Sequence, residues 1–215
     1  MKNESKLPRK LMALCATLII VAGAIALMVK FPTADEPSYQ GLSLTEWIQK
    51  YVDVEGRDAG FPDIERNNKK CKEALMAMGT NAIPELLSWL QTEGSPPQNM
   101  IVEALNKVLP EKHKILTARD RNVMSFTGFR LLGKSGQPSI PALIELTKHI
   151  DPMVRIDALS CLRAVQADPQ TLMPVLKRCE SDPDKRMRTY AAAIIISIQF
   201  ETDSGDKAET NRPTK

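Results

Sequence analysis

The side chains best suited to chemistry are the two histidines, His113 and His149, the cysteines at 71, 161 and 179, and the arginines at 119, 121 and 130. A zinc site needs three or four ligands at close spacing, as in His-Glu-x-x-His or paired Cys-x-x-Cys. Each histidine stands beside lysine with no such companion, so the spacing predicts surface histidines and no metal. A phosphate-binding glycine loop, a Gly-x-Ser-x-Gly elbow and a dinucleotide fingerprint are all absent from the sequence. Carboxylates such as Asp151 and Asp157 fall at spacings expected of helix caps and faces, which is no basis for a general acid and base. Cys161 and Cys179 fall on consecutive predicted helices and could bridge in an oxidising compartment, though at unequal distances from the turn between them. The three arginines, with Trp89 and His113, are the first residues to consider for a small-ligand pocket. No catalytic residue, cofactor site or metal site is assigned.

Charge excludes another class. Residues 31–215 hold 24 Lys and Arg against 25 Asp and Glu, so the net +3 of the whole chain belongs to the stretch 1–30. A nucleic-acid backbone binder needs a positive stripe to displace counterions. The local basic clusters, Arg66 to Lys72 and Lys185 to Arg188, read as solvated helix faces.

The elements that carry these residues begin with an apolar run. Leu11 to Val29 is 19 residues without a charge, and at about 1.5 Å per residue it nearly matches a hydrocarbon core of roughly 30 Å. Lys2, Lys6, Arg9 and Lys10 precede it, which places a basic segment 1–10 in the cytoplasm and the rest of the chain outside. Cleavage as a signal peptide near Ala24-Ile25-Ala26 is the alternative fate, and it would give a secreted product. Residues 30–40 read as a proline-containing linker. Ser43-Leu-Thr-Glu46 has the form of a capping box, with Leu44, Trp47, Ile48 and Tyr51 on one side of the helix it opens. Residues 201–215 lack an apolar period and read as a disordered tail.

Between these ends a layout recurs. Helical patterns stop at Gly79, at Gly133 to Gly136 and near Ala167-Asp168-Pro169, and each restarts around an apolar-proline dipeptide: Ile83-Pro84, Ile140-Pro141 and Met173-Pro174. Proline in the first turn of a helix loses no hydrogen bond. Asp151-Pro152 and Asp182-Pro183 each read as the cap of a first helix, one repeat apart. Helix pairs at such a period suit stacked repeats, because one pair cannot bury both of its faces. The step from Pro84 to Pro141 is well above one period, which an extra or degenerate unit within 92–114 would explain more economically than a loop insertion. The apolar stretch from Arg188 to Phe200 is too short to span a membrane and reads as a core helix sandwiched in the stack.

Leu131 to Thr147, Asp151 to Leu176, Asp182 to Ile198 and, more weakly, Lys72 to Leu90 resemble the HEAT-repeat family. The resemblance implies an all-α fold: a short α-solenoid of helical hairpins over 41–200, behind a single N-terminal transmembrane helix at 11–29. It also implies that Arg155 and Arg186 pack along neighbouring units, and that Pro84, Pro141, Pro174, Asp151 and Asp182 are structural. The arrangement of anchor, Gly41 to Ile48 stretch and repeats is similar to bacterial membrane-anchored HEAT-repeat proteins. Such scaffolds mostly bind proteins, whereas rarer relatives act on bilins or alkylated bases, and fold alone does not choose among them. The expectation is a membrane-tethered scaffold in the cell envelope with a protein partner, met through second-helix positions such as Glu85, Glu145 and Lys177. A small-ligand or enzymatic domain and a purely structural envelope protein are the alternatives.

Overall fold

The computed structural model describes residues 36–55, 61–92, 96–110 and 115–210. The expected anchor at 11–29 lies outside them, as does His113. Among the described residues no helix is long and apolar enough to cross a membrane.

Among the described residues the structure is all-α apart from one small hairpin. Strands β1 (Ser38–Tyr39) and β2 (Leu42–Ser43) pair antiparallel, with Ser38 opposite Ser43 and Tyr39 opposite Leu42. Gln40 and Gly41 turn the chain at φ of 50° and 76°, the doubly left-handed conformation that suits a two-residue hairpin. The expected linker thus ends earlier than Gln40. Helix α1 (Leu44–Glu55) follows directly. The Ser43 amide donates to Glu46 Oε2 at 2.7 Å and the Glu46 amide to Ser43 Oγ at 3.2 Å, the reciprocal bonds of the capping box. Trp47 is buried and its indole N–H donates to the Tyr39 carbonyl at 2.9 Å, which ties the hairpin to the helix.

Three helix pairs succeed one another, with an excursion after the first. Helix α2 (Phe61–Met78) turns through a 3-10 segment, Gly79–Ala82, into α3 (Ile83–Leu90). Helix α4 (Pro96–Asn106) belongs to the excursion. Helix α5 (Ala118–Leu132) turns through Gly133–Ser139 into α6 (Ile140–Leu146). Helix α7 (Pro152–Ala164) is followed by α8 (Pro169–Cys179), and α9 (Lys185–Thr210) is the last of the described helices. First helices end on a left-handed residue: Gly79 at φ 54°, Gly133 at 51° and Gln166 at 56°. At Gln166 the amide bonds to the Arg163 carbonyl at 2.9 Å and the Ala167 amide to the Leu162 carbonyl at 3.0 Å, so two orphan carbonyls are satisfied although the residue is not glycine.

Among the described residues, 96–110 and 115–117, the excursion, fall with Glu36 in one compact unit, and 37–92 with 118–210 in the other, the body. Within the body α3 packs directly on α5, as α6 packs on α7 and α8 on α9. The extra unit expected within 92–114 is therefore not interposed between α3 and α5. The step from Pro84 to Pro141 exceeds the step from Pro141 to Pro174 by the length of the stretch 94–117, so removing the excursion leaves two equal steps. Inside the excursion Asn106 closes a loop, exchanging two bonds of 2.8 Å with the Ile115 amide and carbonyl.

Three further expectations are corrected. Helix α8 begins at Pro169, so Pro174 lies inside it and does not open it. Asp168 is extended and its carbonyl receives the amides of Thr171 and Leu172, so the helix is already nucleated well before Pro174. Residues 201–210 continue α9 where a disordered tail was expected. Extending an existing helix gains one hydrogen bond per residue fixed, whereas starting one is costly, and a lone glycine at 205 costs only about 1 kcal/mol. The third concerns the apolar stretch: Met187, Ala191 and Ile194 are buried, but Ala193, Ile196 and Phe200 are exposed, so the helix is covered on one side and not sandwiched.

The core is mostly aliphatic, with Trp47, Tyr51, Trp89 and Phe129 as its aromatics, among Ile48, Leu75, Leu86, Leu132, Leu159 and Leu176. Where α3 meets α5 the helices come close enough for the Ser125 hydroxyl to donate to the Leu86 carbonyl at 2.7 Å. One turn on, Gly128 leaves no room for a side chain, since an added Cβ would collide with Leu86 and stand 3.2 Å from Ile48 Cδ1. Both leucine and isoleucine are fully buried and cannot swing away. Gly128→Ala is expected to cost about 1–3 kcal/mol, the usual penalty for overpacking, read as a lower urea midpoint at unchanged slope. An unchanged midpoint would mean that α3 and α5 are not in this contact.

Candidate interaction surface

The interactions that set which side chains remain free begin at Arg155. Its guanidinium is buried at the start of α7 and grips Asp182 with two bonds, Nε to Oδ2 at 2.8 Å and Nη2 to Oδ1 at 2.6 Å. Nη1 donates to the carbonyls of His149 and Ile150 at 2.9 and 3.0 Å. The expectation that Arg155 reaches along to the next unit is met in geometry. The partner assignment one unit on is different from the one expected.

Asp182 does not cap α9. The cap is Asp184, whose Oδ1 accepts the Arg186 amide at 2.7 Å and whose carbonyl accepts the Arg188 amide at 3.2 Å. Asp151 does the same for α7, accepting the Met153 amide at 2.8 Å on Oδ1 and the Arg155 amide at 3.2 Å on its carbonyl. Arg188 then repeats Arg155, with Nη1 on the carbonyls of Asp182 and Pro183 at 2.7 and 2.9 Å. Even the residue two before each cap corresponds: the Asp151 amide donates to His149 Nδ1 at 3.1 Å, the Asp184 amide to Asp182 Oδ1 at 2.8 Å. One step therefore carries His149 onto Asp182, Asp151 onto Asp184 and Arg155 onto Arg188. Arg186 is not the counterpart of Arg155: it is exposed and folds back on Asp184 at 2.8 Å, yet its Nη1 also meets Met153 Sδ of α7 at 3.4 Å, so it does reach the neighbouring unit as expected. Its side chain and backbone N–H together hold the Asp184 carboxyl down to about 2.

Why the dipeptides mislead is physical. Proline follows the capping aspartate at Asp151-Pro152 and precedes it at Pro183-Asp184, so matching the Asp-Pro pairs slips the alignment by two positions. Asp182 is already committed to Arg155.

Further bonds lock successive pairs. Arg178 of α8 donates to the Thr147 hydroxyl at the end of α6 at 2.5 Å, and the Ser160 hydroxyl of α7 donates to Tyr190 of α9 at 3.1 Å. Exposed on the second helices are Pro84 on α3, Pro141, Ala142 and Glu145 on α6, and Pro169, Gln170, Thr171, Pro174, Lys177 and Arg178 on α8. Glu145 is paired with Lys148 at 2.6 Å, a surface contact. Glu85, expected on this face, is half-buried and accepts the Trp89 indole N–H at 2.6 Å.

The arginine cluster considered for a ligand does not converge. Arg130 donates to the Tyr51 hydroxyl at 3.2 Å and stacks 5.4 Å over its ring, while Trp89 is buried on Glu85. Arg119 is exposed and acts on Asp157, whose carboxyl is pushed up by burial, partly drawn back by that arginine and pushed further by Asp151. Among the described residues no group of His, Cys, Asp and Glu is placed to hold a metal ion. Cys71, Cys161 and Cys179 are free and buried, so the possible bridge between the last two is not formed. Burial pushes all three thiols up; Asp157 adds to the effect at Cys161, while cations partly offset it at Cys71 and Cys179. Compared with protein-family models, with curated proteins and with solved structures, the chain matches none.

Two outcomes are expected. In the pair, Arg155 and Asp182 side chains are only 9% and 10% exposed, and removing one partner of such a pair costs about 3–5 kcal/mol because the other charge stays buried. Arg155→Met is therefore expected to destabilise strongly, and Arg155→Met with Asp182→Leu to recover most of the loss; additive costs in urea melts would refute the coupling. The pH dependence follows from Asp182: burial raises its carboxyl, but Arg155 and the Asp184 amide outweigh this and hold it below its usual value. That stability is present above the unfolded carboxyl value of about 3.9 and is lost as pH falls through the folded one, a dependence the double variant should lack. For the thiols, iodoacetamide on the native protein at pH 8 should leave Cys71, Cys161 and Cys179 unmodified by peptide mapping and modify all three in denaturant. Native labelling at any of the three would contradict its burial.

Proposed function

We propose that the chain is a HEAT-like α-solenoid that serves as a protein-binding scaffold, tethered to the membrane by residues 11–29 with its N-terminus in the cytoplasm and its helical domain in the envelope. One observation carries the reading. The cap, the arginine and the two carbonyls it binds recur, all at the same step, from α7 to α9. A unit that reproduces its own joint is how stacked helix pairs propagate, each burying the face its neighbour leaves open. Such a stack offers a row of second helices, and here Pro141, Ala142 and Glu145 with Thr171, Pro174 and Lys177 are among their exposed side chains. Their mixture of small, apolar and charged groups fits a protein surface with a polar rim.

The anchor reading rests on the charge-free run Leu11 to Val29 behind four basic residues. A tether raises the effective concentration of a scaffold at the bilayer without any new contact.

The test is site-specific photocrosslinking in carbonate-washed membranes, with the probe at Glu145 or Lys177 and, as controls, at Lys69 or Lys72. Discrete protein adducts from the first two positions and none from the controls are expected. Adducts that do not depend on position, or none at all, would overturn the scaffold reading, and loss of the chain from the washed membranes would overturn the anchor.

A further inference from the structure

Helix α9 is apolar on two opposite faces. Met187, Ala191 and Ile194 point into the body, where α9 packs on α7 and α8. On the other side Thr189, Ala193, Ile196 and Phe200 form an exposed stripe, with Ile196 59% and Phe200 74% exposed. Their spacing alternates between four and three positions, which brings side chains to one seam against a second helix.

The charges of the helix carry the argument further. Lys185, Arg186 and Arg188 stand at its beginning, and Glu201, Asp203 and Asp206 follow its apolar stretch. Lys185 and Arg186 are exposed. An antiparallel helix of the same sequence would reverse the order, setting the basic end of each against the acidic end of the other.

The stripe is also complementary to itself under that reversal. A two-fold axis between residues 194 and 195 sets Thr189 opposite Phe200 and Ala193 opposite Ile196, small against large at every step. A two-fold interface must be self-complementary in this way, residue i meeting j while j meets i.

We infer that the exposed face of α9 is a homodimer interface in which two copies of this chain pack α9 antiparallel about a two-fold axis at residues 194 and 195. The inference is independent of the reading of the second-helix surface, since it uses the last helix alone.

The experiment uses the full chain in a mild non-ionic detergent, with protein mass measured by light scattering. Wild type should have twice the protomer mass, and Ile196→Glu should have the protomer mass with an unchanged helical spectrum. Disulfide trapping then reads the direction. Thr189→Cys mixed with Phe200→Cys should give a crosslinked dimer, while Thr189→Cys by itself should give at least tenfold less. A monomeric wild type, a dimer that survives Ile196→Glu, or a self-crosslink at Thr189→Cys as strong as the mixed one would each overturn the proposal. If Ile196→Glu does not fold, Ala193→Phe, which fills the small side of the seam, must also give the protomer mass.

Discussion

The guanidinium of Arg155 holds together three parts of the chain by its four hydrogen bonds. It ties the start of α7 to the loop before it, through the His149 and Ile150 carbonyls, and to the loop before α9, through Asp182. Apolar packing tolerates sliding, since its energy depends on area removed from water and not on which atoms meet. A buried bidentate pair does not, because a shift of a few ångströms leaves a charge without its partner. The spacing between one joint and the next is thus set by a directional interaction, and the apolar faces of α7 and α9 fill in around it.

That interaction explains which parts of the architecture were legible in the amino-acid order and which were not. Helix existence was readable from local physics: the Ser43–Glu46 capping box, the glycine ends at 79 and 133, and the first-turn prolines at 84 and 141 form the bonds their types predict. The register was not, because the Asp-Pro dipeptides are locally alike and structurally out of step. The choice between Asp182 and Asp184 as cap is made by Arg155, far back along the chain from the aspartate it binds. A signal was nonetheless present. The steps from Pro141 to Pro174 and from Arg155 to Arg188 are equal, and two unrelated residue types agreeing on a period outweigh one dipeptide that gives a shorter one.

The interaction surface was legible to a lesser degree. Glu145 and Lys177 are exposed as expected, but Glu85 is withdrawn by Trp89, whose buried indole N–H needs an acceptor. Arg130 is likewise drawn to Tyr51, a partner remote in sequence. Residues 94–117 were hardest to place. An insertion of this length and a degenerate helix pair have similar composition, and only the direct contact of α3 with α5 separates them.

That contact also bears on how the fold tolerates the excursion. Gly128 and Ser125 present almost no side chain to Leu86, so α5 approaches α3 closely enough for a side-chain hydroxyl to bond a main-chain carbonyl. Closing a flexible loop costs only slowly more as it lengthens, about 0.6 kcal/mol per doubling. An interface able to bear such a loop must recover that cost from contacts on either side of it, and close packing of a glycine against a buried leucine gains dispersion that a bulkier pair at larger separation would lose. Between α7 and α9, connected through α8, a buried ion pair, Arg155 with Asp182, stands where α3 and α5 have close packing of small residues.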